Sequence, residues 1–139
     1  YKKVEILQQK NWGARKIMAE AVVARKNGYS FVDSLPQIAV FNYMKVPLGY
    51  GAKYEKMEND LNRSPDKNAP RVAWSYSKRL DLNGENIGWN YLTADFFKSY
   101  KAAMQARANT PAYSKDLLQA FKSRKLVKSE MAGKVMSLR

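Results

Sequence analysis

The stretch "SKDLLQAFKSRKLVKSEMAGKVMSLR", Ser114 to Arg139, poses the question on which the fold turns. Its start reads as a helix, with Ser114 as N-cap and Asp116 in the first turn, where a carboxylate suits the helix dipole. Leu117, Phe121, Met131, Ala132 and Val135 then share one face at the helical period. Arg124 and Lys128 fall on that same face and interrupt it. A core helix does not place two cations on its apolar stripe. Either the helix breaks there, or the segment "KSRKLVK" (residues 122–128) meets something anionic. The second choice makes Lys122, Arg124, Lys125 and Lys128 candidate partner-binding residues.

The charge distribution supports an anionic partner. The 139-residue chain carries a formal net charge of +13. Residues 1–28 hold seven bases and two acids, residues 29–97 eight of each, and residues 98–139 ten bases and two acids. The ends are cationic and the middle is neutral. Self-repulsion of this kind usually has an anionic counterpart. Lys98, Lys101 and Arg107 extend the basic set upstream of "KSRKLVK".

Upstream, "KKVEILQQKNWGARKIMAEAVVARKNG" reads as a basic N-terminal helix closed by Asn27-Gly28. "YSFVDSLPQIAVFNYMKVP" permits either a short helix or a strand over residues 35–46. "AKYEKMENDLNR" has helix propensity, and "SPDKNAP" is a loop. "RVAWSYSKRLDL" reads as a further helix, turned by "NGENIG". "WNYLTADFFKSYKAAMQARAN" carries Trp89, Leu92, Phe96, Tyr100 and Ala103 at helical spacing, and Thr110-Pro111 ends it. The expected fold is all-α: an irregular bundle of five to six helices with long Pro/Gly-punctuated loops. It forms a single domain over residues 1–139 (basic helix 1–28, neutral middle 29–97, basic helices 98–139).

Composition narrows the chemistry. There is no cysteine and no histidine. Disulfides, thiolate nucleophiles and Cys/His zinc sites are excluded, and the commonest acid–base side chain is missing. No stretch approaches ~18 uninterrupted apolar residues, so no spanning helix is expected. No leader is legible. The chain begins at Tyr1 rather than methionine, which leaves localisation open, a processed organellar or virion protein included.

Local motifs are weak. "GYG" (Gly49 to Gly51) lacks the four-residue interior and Lys-Ser/Thr ending of a phosphate loop, and the preceding Thr-Val and membrane pore of a channel filter. It reads as a turn that starts a helix and leaves Tyr50 exposed as a candidate protein contact. "SYSK" (Ser75 to Lys78) has S-x-x-K spacing, which one helical turn would make into a hydroxyl–amine pair, but the companion motifs are absent. Glu55/Glu58 and Asp81/Glu85 are interleaved with bases and read as surface ion pairs. Glu58, Asp60 and Asp66 lack the spacing of a calcium loop.

Lysine stands two residues after Tyr1, Tyr43, Tyr54, Tyr76 and Tyr113. Aromatics interleaved with cations grip single-stranded nucleic acid, yet on helices residues two apart do not share a face. The functional expectation is a non-catalytic basic accessory, linker or assembly subunit of a larger complex. It has no cofactor, no metal and no small-molecule substrate. Loop aromatics contact protein neighbours and the basic ends meet an acidic surface. The alternatives are a nucleic-acid-binding (ribosomal or virion) protein and a protein of anionic membrane surfaces.

Overall fold

The computed structural model describes residues 21–81, 88–109 and 114–134. Among them the chain forms five strands and three helices. These are β1 (Val23–Ser30), β2 (Ile38–Lys45), α1 (Gly51–Leu61), β3 (Arg71–Arg79), β4 (Tyr91–Phe97), α2 (Tyr100–Ala108), α3 (Lys115–Phe121) and β5 (Lys125–Gly133). The expected all-α bundle is therefore wrong: the molecule is a single antiparallel sheet in the order β1-β3-β4-β2-β5, with helices added.

The errors share one cause. In "RVAWSYSKR" the large residues Val72, Trp74 and Tyr76 alternate with small or polar ones, a period of two rather than 3.6. Aromatic and β-branched side chains suit a pleated, half-buried surface. In the stretch from Trp89 the helical stripe straddles two elements. Tyr91, Thr93 and Phe97 are buried from β4 at strand spacing, and the helix starts only at Tyr100. Ser99 makes the break, since its extended backbone lets the hydroxyl accept from the Ala102 N–H at 3.2 Å.

At the C-terminal end Ser114 caps α3 as expected, its hydroxyl accepting from the Leu117 N–H. The helix stops at Phe121, and "KLVKSEMAG" continues as β5. The cations on the apolar stripe marked a helix end. Residues 35–46, whose sequence permits helix or strand, hold β2. Residues 23–28 lie in β1 rather than in a helix, while the rest of the expected N-terminal helix falls outside the described residues. The Thr110-Pro111 break and most of "NGENIG" fall outside them too.

Strand β4 inserts between β2 and β3 and is antiparallel to each, so β2 and β3 run the same way. From β2 to β5 the chain follows the β-α-β-β-α-β order of ferredoxin-like α+β folds, with the second helix split into α2 and α3. β1 is an added edge strand on β3.

All three helices pack on one face. Tyr54 and Met57 of α1 bury against Met44, Val46, Trp74, Tyr76 and Tyr91, with Leu117, Ala120 and Phe121 of α3 alongside. The Tyr54 and Tyr91 rings meet edge-on at 4.7 Å. A second apolar cluster gathers Val40, Phe97 and Ala103 of α2, flanked by Ile38 and Met131. The turn before α1 is set by Gly49 at φ 85°, and the Tyr50 N–H donates back to the Pro47 carbonyl.

Candidate ligand-binding cleft

Between the two apolar clusters the covered face of the sheet is polar. Along β2 the inward residues run Val40, Asn42, Met44, and the opposing stretch of β4 runs Phe97, Asp95, Thr93, Tyr91. Ser129 of β5 stands beside Asn42. A face buried under helices normally carries apolar side chains at each of these positions.

The polar groups satisfy one another. The Asn42 amide Nδ2 donates to Thr93 Oγ1 at 3.3 Å and to Asp95 Oδ2 at 3.1 Å, and Asn42 Oδ1 accepts from the Ser129 hydroxyl at 2.8 Å. Arg71 closes the row, with Nη1 donating to Asp95 Oδ1 at 2.8 Å and Nη2 to Asn62 Oδ1 at 2.6 Å. Burial opposes the charge on Arg71, but the Asp95 carboxylate and Tyr29 outweigh it and hold the guanidinium above its usual pKa.

This row floors a cleft of about 660 Å³. Its walls come from the C-terminal half of α1 (Glu58, Leu61, Asn62), the end of α2 (Ala106, Arg107, Asn109) and the α3–β5 joint (Phe121, Arg124), with Trp74 and Phe97 adding aromatic surface. That volume lies in the range of small-molecule sites. The charge is asymmetric: guanidinium groups of Arg71, Arg107 and Arg124 face the carboxyls of Asp95 and Glu58. Glu58 is only 5% exposed, and burial pushes its pKa above the ordinary carboxyl range against the opposing pull of Arg124 and Arg71. Asp95 is already engaged by Arg71, so the cleft retains a positive bias.

Arg124 is the most informative group. Its guanidinium stacks 4.6 Å from the centre of the Phe121 ring, and Nη1 donates to the Met44 sulfur at 2.8 Å. Its Nε–H is buried and has no acceptor among the described residues. An orphaned buried donor on a charged group costs roughly 1–3 kcal/mol unless something meets it.

The expected partner-binding residues do not come together. Arg124 points into the cleft instead of outward, and Arg107 lines the same cleft from the last turn of α2. Lys122, Lys125 and Lys128 are exposed along the α3–β5 edge, and Lys98 and Lys101 are exposed at the start of α2. Tyr50 is 48% exposed at the N-terminus of α1. The described residues 114–134 form a short helix followed by a strand, so the apolar stripe expected from Leu117 to Val135 does not lie along one amphipathic helix. Ser75 and Lys78 sit three apart on β3 and face opposite sides of the sheet, which removes the hydroxyl–amine pair. Glu55 accepts from the Tyr91 hydroxyl at 2.7 Å and so anchors α1 to the sheet. Asp60 pairs with Lys56 and Arg63, and among the described residues Glu58, Asp60 and Asp66 form no metal-holding group.

Sequence reasoning missed Asn42, Thr93, Asp95 and Arg71. The available signal was a polar residue at alternate positions, Asn42 in "FNYM" and Thr93 and Asp95 in "LTAD", visible only once both stretches are read as strands. No family model matches the chain, and no curated protein matches it either.

Proposed function

We propose that the chain is a binding domain for a small organic anion, held in the cleft between the sheet and α1, α2 and α3. One observation carries this reading: a hydrogen-bonded polar row, flanked by three guanidinium groups, interrupts an otherwise apolar covered face and opens to a cleft of ligand size. The apolar body of the ligand rests on Trp74, Phe97 and Phe121. Its charged end is drawn to Arg107 and Arg124, and Asn42 and Thr93 supply neutral polar contacts. Binding rather than turnover is proposed, since the chain offers neither histidine nor cysteine.

The test is calorimetric titration of the full chain with aromatic and aliphatic carboxylates and phosphate monoesters, with neutral isosteres as controls. Saturable binding by an anion, weakened about tenfold or more in Arg107→Gln, is expected. Equal response to anion and neutral isostere, or no saturation by any compound, overturns the reading.

A second reading is favoured by the exposed basic edge of the sheet, where Lys122, Lys125 and Lys128 stand on α3 and β5. There the chain acts as an accessory or assembly subunit, its edge meeting an acidic protein surface. It predicts nuclease-resistant co-purification of an acidic protein, released when those three lysines become glutamine. Retention by the triple variant removes it.

A further inference from the structure

The opposite face of the sheet makes an independent case. Among the described residues no helix lies over it. The residues that point there include Phe41 and Tyr43 of β2 and Phe96 of β4, all half-buried. In a strand, residues two apart share a face. The Tyr–Lys spacing that a helix would split therefore puts Tyr43 and Lys45 on one surface.

Rings and cations alternate across this surface. The Arg79 guanidinium lies 4.7 Å from the centre of the Trp89 ring. Trp89 meets Tyr43 edge-on at 5.0 Å. Lys128 Nζ lies 4.4 Å from the centre of Tyr43 and is 49% exposed. The Tyr43 hydroxyl donates to Glu130 Oε2 at 2.7 Å. Burial and then the Glu130 carboxylate push the Tyr43 pKa up to about 12, so the ring stays uncharged. Phe41 and Phe96 continue the apolar strip on adjacent strands.

We propose that this open face is a stacking platform for single-stranded nucleic acid, its bases lying on Tyr43, Trp89 and Phe41 and a phosphate meeting Lys128. Three facts converge on this partner. Half-buried aromatics on two adjacent strands, with no helix of the described residues over them, offer ring surface that any base can stack upon. Lys128 lies over the Tyr43 ring and is 49% exposed, at the reach of the backbone phosphate of a base stacked there. The net charge of +13 supplies the long-range attraction that a polyanion requires. Two acids stand in the cluster: Glu130 pairs with Lys128 and opposes a phosphate there, and Asp81 engages Arg79 through Nε at 2.7 Å and Nη2 at 3.3 Å.

The experiment is fluorescence anisotropy of the full chain with a fluorescein-labelled oligouridylate, across a salt series. Binding weakens steeply with salt. Tyr43→Ala lowers affinity about tenfold while Tyr43→Phe retains it, which separates stacking from folding. Lys128→Gln lowers the slope of log affinity against log salt by about 0.7. Glu130→Gln tightens binding, and the cleft variant Arg107→Gln leaves it unchanged. Absence of binding at low salt overturns the proposal. So does binding indifferent to Tyr43→Ala, or a dimer by light scattering that Phe41→Glu dissociates with no effect on the oligonucleotide.

Discussion

Glu58 shows how a single position records both burial and function. It follows Tyr54 by one helical turn on α1 and is held at the cleft wall, within reach of the charges of Arg124, Arg71 and Asp95. Burial raises its pKa in the folded state above the unfolded value of 4.5. The native state then binds more protons than the unfolded chain, so this group favours folding at acid pH. Its contribution is full below pH 4.5 and is lost as pH rises through the folded pKa. Urea unfolding across that window should show wild-type stability falling relative to Glu58→Gln, with the difference vanishing at the acid end. Parallel pH profiles for the two proteins would show that Glu58 is solvated. Nothing in the spacing of Glu55 and Glu58 reveals this, because both read as partners for neighbouring lysines. Burial of one and not the other is decided by the rotation of α1 against the sheet.

At the scale of elements, the boundaries matter more than the interiors. The chain from Trp89 to Ala108 is amphipathic by helical count, yet only its second half is a helix. Ser99 decides this by satisfying a free N–H of the first turn, which lets α2 begin cleanly after β4. Ser99→Ala should lower stability by about 1 kcal/mol in chemical denaturation. Tyr50→Ala at the start of α1 should change it by less than about 0.5 kcal/mol, because Tyr50 makes no side-chain cap and is 48% exposed. A reversal of that order would mean that Tyr50 belongs to the core. Helix α1 and the cap at Ser114 were legible because propensity and capping act locally. β3 and β4 were not, because Trp74 and Tyr76 or Thr93 and Asp95 acquire their faces only through pairing: Trp74 stands opposite Asp95 and Tyr76 opposite Thr93.

For the whole molecule, the last strand closes the fold. β5 pairs with β2 in a register that joins Ile38 to Gly133. It also carries Leu126 and Met131 to the two ends of the covered face. Such distant pairing must overcome the entropy of a long loop before it is rewarded. Refolding should accordingly be slow for a chain of this size, in the range of about milliseconds to seconds by stopped-flow fluorescence. Ending the chain after Phe121 removes β5, exposes β2 as an edge and takes Arg124 from the cleft. That truncated chain should lose the cooperative unfolding transition of the full protein. A sharp transition retained without β5 would place the stability in β1, β3 and β4 alone.

The same contrast separates what each level decides. The amino-acid sequence by itself determined the absence of cysteine and histidine chemistry, the excess of positive charge at both ends, the local helix of α1 and the cap at Ser114. These depend on composition or on neighbours within a turn. The tertiary structure decided which residues meet. It set Asn42, Thr93, Asp95 and Arg71 in one row, turned Arg124 inward, and laid Tyr43, Trp89 and Lys128 on the open face. The physical reason lies in the strand. Its hydrogen bonds are made to distant segments, so its period, its faces and its neighbours are fixed only when the sheet is assembled.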